Sequence, residues 1–146
     1  MNDATQITNI LHRYAELMDA GDLSGTAELF ARARVKVGGG VELFGADAME
    51  AHWRRYVRIY PCGTPRTKHV VTNAIVDIDE AGTSATARSY YTVHQATDVL
   101  QLQVICMGRY HDTFSKDADG WYLTGRDYTM LDLVGDLSHH LLPQEQ

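Results

Sequence analysis

The chain has 146 residues, 45% of them hydrophobic and 22% charged, with a formal net charge of −6. That length suits a single domain over residues 1–146, burying roughly two-thirds of the surface its unfolded chain exposes. The acidic balance argues against general nucleic-acid binding, and no apolar run approaches the roughly 20 residues of a membrane span, so neither partner is expected. Met1-Asn2-Asp3 lacks the basic-then-apolar order of a signal peptide, which makes the cytoplasm the expected location.

Ile7, Ile10, Leu11, Tyr14 and Met18 recur at steps of three and four, predicting an amphipathic helix over residues 5–20. Asp3 is placed to cap it, with Gln6 three residues on, and Gly21 suits the position beyond its last turn. Asp22 reads as the N-cap of a second helix running through Leu29 and Phe30. Residues 34–37 and 41–44 read as short strands around Gly38-Gly39-Gly40. Those glycines are no phosphate loop, because the Lys-Ser/Thr of that motif is missing. A third helix is predicted over residues 47–59, ended by Pro61. Arg54, Arg55, Arg58, Arg66 and Lys68 cluster here, either as a solvated face or as a site for an anionic group at a pocket mouth.

The second half is β-rich. Residues 67–79, 84–96, 100–114 and 121–134 read as strands, with turns at Glu80-Ala81-Gly82-Thr83 and Lys116-Asp117-Ala118-Asp119-Gly120. Helices first and hairpin-linked strands after predict an α+β fold, helices on one face of an antiparallel sheet. Strands this long twist and curl, so the concave face can enclose a pocket. Leu102, Val104 and Cys106 alternate with Ile105 and Met107. One face cannot hide both sets, which predicts a homodimer through the outer face of the sheet.

Cys62 and Cys106 read as free thiols, neither belonging to a CxxC pair. The seven histidines show no HxH or HExxH spacing, and there is no dinucleotide fingerprint, so a site without metal or cofactor is expected. His139-His140 read as tail residues.

His12-Arg13-Tyr14-Ala15-Glu16-Leu17-Met18-Asp19-Ala20-Gly21-Asp22, followed by Ala27-Glu28-Leu29-Phe30, resembles the opening of SnoaL-like proteins of the NTF2-like superfamily. Gly45, Thr67-Lys68-His69 with Asn73, Gly108-Arg109-Tyr110-His111-Asp112 and Asp119-Gly120-Trp121 with Arg126 continue the resemblance over nearly the whole chain. It implies an NTF2-like cone: N-terminal helices packed on a strongly curved antiparallel sheet around one pocket for a small hydrophobic ligand. That fold hosts dehydratases, isomerases, cyclases, a dehydrochlorinase and non-catalytic dioxygenase β subunits, so it does not by itself name an activity.

The resemblance also implies a site. In scytalone dehydratase, bile-acid dehydratase and the dehydrochlorinase, a histidine after helix three faces the pocket and pairs with an aspartate ending helix one. His69 and Asp19 match those places. A carboxylate that fixes the imidazole tautomer leaves the other ring nitrogen free to take a proton. The alternative is a solvated Asp19 and a core His69. Tyr14 matches a tyrosine that donates to a substrate oxygen in ketosteroid isomerase and bile-acid dehydratase, or it simply packs in the core. It stands about 140° around the helix from Asp19. His94 resembles the second histidine of scytalone dehydratase. Arg126 either binds an anionic or carbonyl group or forms an ion pair with Asp112. Trp53, Tyr56, Tyr90, Met107 and Tyr128 are candidates to line the pocket, or to pack in the core or a dimer interface. Ketosteroid isomerase itself fits less well, because no carboxylate stands at residues 35–41, where its base would fall. Two functions follow from the resemblance. One is a cofactor-independent lyase (dehydratase-like) or isomerase of a small oxygenated cyclic compound, using His69 and Asp19. The other is a non-catalytic ligand-binding or assembly protein of the same fold.

Overall fold

The apolar stripe of the first segment becomes α1, Asp3–Asp19, which buries Ile7, Leu11, Tyr14, Ala15 and Met18. The computed structural model describes residues 1–144. The cap falls one residue earlier than expected: Asn2, not Asp3, accepts the Thr5 N–H at 2.8 Å. Both side chains are good caps, and this choice leaves Asp3 to receive Lys116 at 2.9 Å. The far end closes with the paired bonds of a Schellman motif, Gly21 N–H to Met18 O and Asp22 N–H to Leu17 O, both 3.0 Å. Gly21 has φ +77°, and a Cβ there would drive into the carbonyl oxygen of Gly63. The helix therefore stops with Asp19 in its last turn. Asp22 then caps α2, Leu23–Glu28, accepting the Gly25 N–H at 2.8 Å.

After α2 come the hairpin β1, Arg34–Gly38, and β2, Val41–Phe44, then α3, Ala46–Tyr56. The long strands are β3, Thr67–Ile78, β4, Ser84–Gln95, β5, Gln103–Asp117, and β6, Gly120–Asp127, followed by the short β7, Leu131–Val134. They form a seven-stranded open sheet in the order β2-β1-β6-β5-β4-β3, with β7 beside β5. The sheet is mixed rather than wholly antiparallel, because β1 runs parallel to β6. Between these two strands the chain passes through α3 and the whole β3–β5 meander, a connection long enough to return in either direction. The expected single strand over residues 121–134 is two, and β7 moves to pair Cys106 with Val134.

Burial alternates strictly along β4, with Ala85, Ala87, Ser89, Tyr91, Val93 and Gln95 facing in. Irregularities in β3 between Thr72 and Ile75, and in the β4–β5 register at Val93/His94, bend the sheet about α1. The second one breaks the expected alternation of β5. Ile105 and Cys106 both turn inward, at 0% and 7% exposure, while Val104 and Met107 face out at 42% and 39%. Both cysteines are free. Among the described residues, no helix is long and apolar enough to cross a membrane.

Candidate active site

Between α1, α3, the concave sheet face and the segment after β7 lies a cavity of about 200 Å³. Its wall includes Tyr14, Trp53, Tyr56, His69, Tyr91, Tyr110, Tyr128 and His140.

The end of α1 and the start of β3 meet at Asp19. One carboxylate oxygen, Oδ1, receives the Thr67 hydroxyl at 2.9 Å and lies 2.6 Å from His69 Nδ1. The other, Oδ2, accepts the His69 backbone N–H at 2.7 Å. Thr67 and His69 reach the same carboxylate because alternate residues of a strand share a face. The Asp19 and His69 side chains are 7% and 6% exposed, so Asp19 is not solvated. Burial pushes the Asp19 carboxyl up. The bonds and charge of His69, with Thr67, outweigh it and hold the group below its ordinary range. An ionised Asp19 keeps the proton of His69 on Nδ1, leaving Nε2 as the nitrogen available to a ligand.

Tyr14 stands over this pair, its ring centroid 6.0 Å from that of His69 and perpendicular to it. Burial, then the neighbouring Tyr110 and Tyr128, holds its hydroxyl well above the usual tyrosine range, so it remains a donor. Trp53, Tyr56 and Tyr128 also line the cavity.

Four other candidates do not reach it. Arg126 is sealed beneath the floor, paired with Asp112 through bonds of 2.7 and 3.0 Å. Its guanidinium lies 3.8 Å from the Tyr110 ring centroid and 4.5 Å from that of Tyr14. Burial pushes the guanidinium down, but Asp112, by charge and hydrogen bond, together with Tyr128 and Tyr110 outweighs that and keeps it charged. Of its two readings, the ion pair is the arrangement found, and Nη1 also donates to the Tyr128 hydroxyl at 3.4 Å. Tyr90 and Met107 face outward, Tyr90 at 57% exposure. His94 belongs to the same outer side, in a separate depression that it shares with Arg66, Lys68 and Leu102 and also with Asp19 and Thr67. The reason is strand parity: His69 pairs with Val93 and Val71 with Tyr91, so Tyr91 and Val93 share the face of His69, and Tyr90 and His94 cannot.

Sequence reasoning missed several wall residues, His52 and Cys106 among them, and three others replace or add to the expected lining. Tyr91 and Tyr110 stack at 4.1 Å between centroids and 9° between planes, in the places expected of Tyr90 and Met107. The β3–β4 register would have revealed Tyr91. The third is His140, which is not a tail residue. The C-terminal segment returns over the cavity mouth, with Arg58 N–H to His140 O and Leu142 N–H to Tyr56 O, both 2.8 Å. It leaves His140 8% exposed and its ring centroid 6.4 Å from that of His69. The signal was Leu137 and Leu141 beside it, spaced as one helical turn. Among the described residues, no group of three or more His, Cys, Asp or Glu is placed to hold a metal ion.

The fold has solved counterparts. An NTF2-like protein with a cystatin-like fold from Novosphingobium aromaticivorans is 23% identical, with a TM-score of 0.72 over 89% of this chain and 82% of that one. The function-unknown protein Rv3472 from Mycobacterium tuberculosis is 24% identical, with a TM-score of 0.70 over 90% of this chain and 73% of that one. A candidate scytalone dehydratase from Novosphingobium aromaticivorans is 19% identical, with a TM-score of 0.66 over 90% and 91%. At these identities the likeness is one of fold. No curated protein matches the sequence. The profile of the SnoaL-like domain matches residues 1–127. With that match spanning both helical and strand regions, the chain belongs to the SnoaL-like domain family.

Proposed function

We propose that the chain is a cofactor-independent lyase or isomerase of a small oxygenated ring compound, with His69 as general base and Asp19 as its orienting carboxylate. The observation that carries this reading is the buried Asp19 carboxylate, which holds His69, a residue of the cavity wall, by both ring and backbone. His69 Nε2 takes a proton from the carbon α to a carbonyl, or from the carbon next to one bearing a leaving hydroxyl. The electron pair moves onto the carbonyl oxygen, or forms the double bond as the hydroxyl departs. Tyr14 donates to the oxygen that gains charge, and Asp19 stabilises the imidazolium. The imidazolium then returns its proton, to carbon in isomerisation or to the leaving oxygen in dehydration. The cavity suits such a compound in size: an apolar cavity of about 150 Å³ takes up benzene, and this one has about 200 Å³ with aromatic walls.

The test is proton–deuterium exchange at carbon across a panel of cyclic hydroxy-ketones and polyphenol precursors, comparing wild type with His69→Ala. Exchange that disappears in the variant supports the base. Full exchange in His69→Ala rejects it. Tight binding of one compound, with no exchange by wild type across the panel, favours the second reading of a protein that binds without turnover.

A further inference from the structure

We propose that His140 is a substrate-binding residue of this cavity, holding the ligand's hydroxyl or carbonyl oxygen together with His69 and so selecting oxygenated rings over bare ones. The proposal rests on the reading of the cavity as a ring-compound site, but not on His69 acting as a base.

The residues that follow β7 build the position. His140 N–H and Leu141 N–H both bond the Leu137 carbonyl, at 3.0 and 2.9 Å, forming one helical turn. Residues at i, i+3 and i+4 share a helical face. Leu137, His140 and Leu141 accordingly line the cavity together. The turn is anchored as part of the wall. Leu141 bridges to Val57, and the buried Gln95 amide donates to the carbonyls of Pro65 and His139, both at 3.0 Å. The two leucines account for closing the mouth. They do not account for an imidazole between them.

His140 is enclosed on the protein side without being satisfied there. Its Nδ1 is buried and, among the described residues, has no hydrogen-bond partner. Buried polar groups are nearly always paired, and an exception that lines a cavity is placed to gain its partner from a ligand or an ordered water. The geometry supplies a place for one. The rings of His69 and His140 are 6.4 Å apart between centroids and inclined at 70°. One oxygen with a hydrogen bond of about 2.8 Å to each ring would span such a gap. Burial, with His69 adding in the same direction, also pushes His140 down to about 4. At neutral pH it therefore presents one donor and one acceptor nitrogen, able to serve a carbonyl or a hydroxyl. The wall also carries His52 and the Tyr14 hydroxyl, and His140 differs from both in having a buried ring nitrogen with no partner among the described residues.

The experiment compares binding of 2-naphthol and naphthalene by quenching of tryptophan fluorescence, since Trp53 lines the cavity. Wild type is expected to bind 2-naphthol at least about ten-fold more tightly, the worth of one good hydrogen bond. In His140→Phe that preference should fall several-fold, and His140→Asn should restore part of it. A wild-type preference that persists unchanged in His140→Phe overturns the proposal, as does a loss that His140→Asn does not relieve, which would indicate ring shape rather than hydrogen bonding. A measurement on wild type alone guards against misfolded variants. The ring ¹⁵N resonances of His140 should move on addition of 2-naphthol and stay still with naphthalene, and equal responses would overturn the proposal. If wild type binds neither probe, the ring-compound reading and this one fail together. If the preference is intact and depends on His140 while His69→Ala keeps full proton exchange, only the base role of His69 is lost.

Discussion

Asp19 holds two kinds of bond at once, and substitution separates them. Its contact with His69 Nδ1 orients the imidazole, while its bonds to Thr67 and to the His69 backbone tie α1 to β3. Under the proposed mechanism, His69→Ala and Asp19→Asn should each lower kcat for proton exchange by roughly 10²–10⁴. The double variant should lose little more than the worse single one, because the two act as a unit. Urea unfolding should distinguish them otherwise. Asp19→Asn places amide hydrogens against buried donors and should cost about 1–3 kcal/mol, whereas His69→Ala leaves Thr67 and the backbone bond in place and should cost less. His140 makes a separate prediction about pH. Its folded pKa of about 4 lies below the ordinary 6.5, so the unfolded chain binds more protons between those values. Stability therefore rises with pH through that window and is lost as pH falls from 6.5 toward 4. Between pH 7 and pH 5 the loss from this residue should be about 2 kcal/mol. His52, lowered by burial and by Arg55, adds in the same sense. Asp19 acts in a more acidic range, its contribution lost as pH falls through its depressed value. Unfolding of His140→Phe at the two pH values should show a loss smaller by about 2 kcal/mol. An equal loss would mean that His140 is not enclosed in solution.

The C-terminal end of α1 locates the site. Gly21 combines a left-handed backbone with a close approach to Gly63, so Gly21→Ala is strained in both respects. It should cost about 1–3 kcal/mol, read as a lower unfolding midpoint, and should also lower exchange activity by moving Asp19. Full activity with reduced stability would show that the helix end need not be held so closely. This element was legible in advance: the apolar steps, Gly21 and Asp22 stand in the sequence, and the resemblance paired Asp19 with His69. The strands were legible as strands but not as faces. A one-residue change of parity exchanges Tyr90 for Tyr91 and expels His94, and only hydrogen-bonded register sets that parity. The Ile105–Cys106 irregularity is likewise a property of two strands together, so no pattern within β5 announces it.

At the scale of the whole molecule, the outer face of the sheet remains apolar. Val70, Ile75, Tyr90, Val104, Met107 and Leu133 are each between 39% and 62% exposed. A surface of this kind usually meets a partner, and the expected one is a second copy of the chain. Light scattering at micromolar concentration should give the mass of a dimer, and Val104→Glu should shift it toward the monomer with the cavity unaltered. A monomeric wild type would leave that face unexplained. Tyr90 and Met107 would then have left the pocket without gaining an interface.

The sequence by itself determined the α+β fold, the order of its elements and the end of α1, and its resemblance to the family matched Asp19 with His69. Local periodicity, helix caps and glycine conformations carry that information within a few residues of each other, and family motifs extend it along the chain. The tertiary structure decided the parallel return of β6 beside β1, the burial of Arg126 against Asp112, and the placing of Tyr91, Tyr110 and His140 around the cavity. Each of these depends on residues far apart in the chain being brought together. His140 shows the reason most plainly: its segment reads as a tail until Tyr56, Arg58 and Gln95 supply the partners that fold it over the cavity.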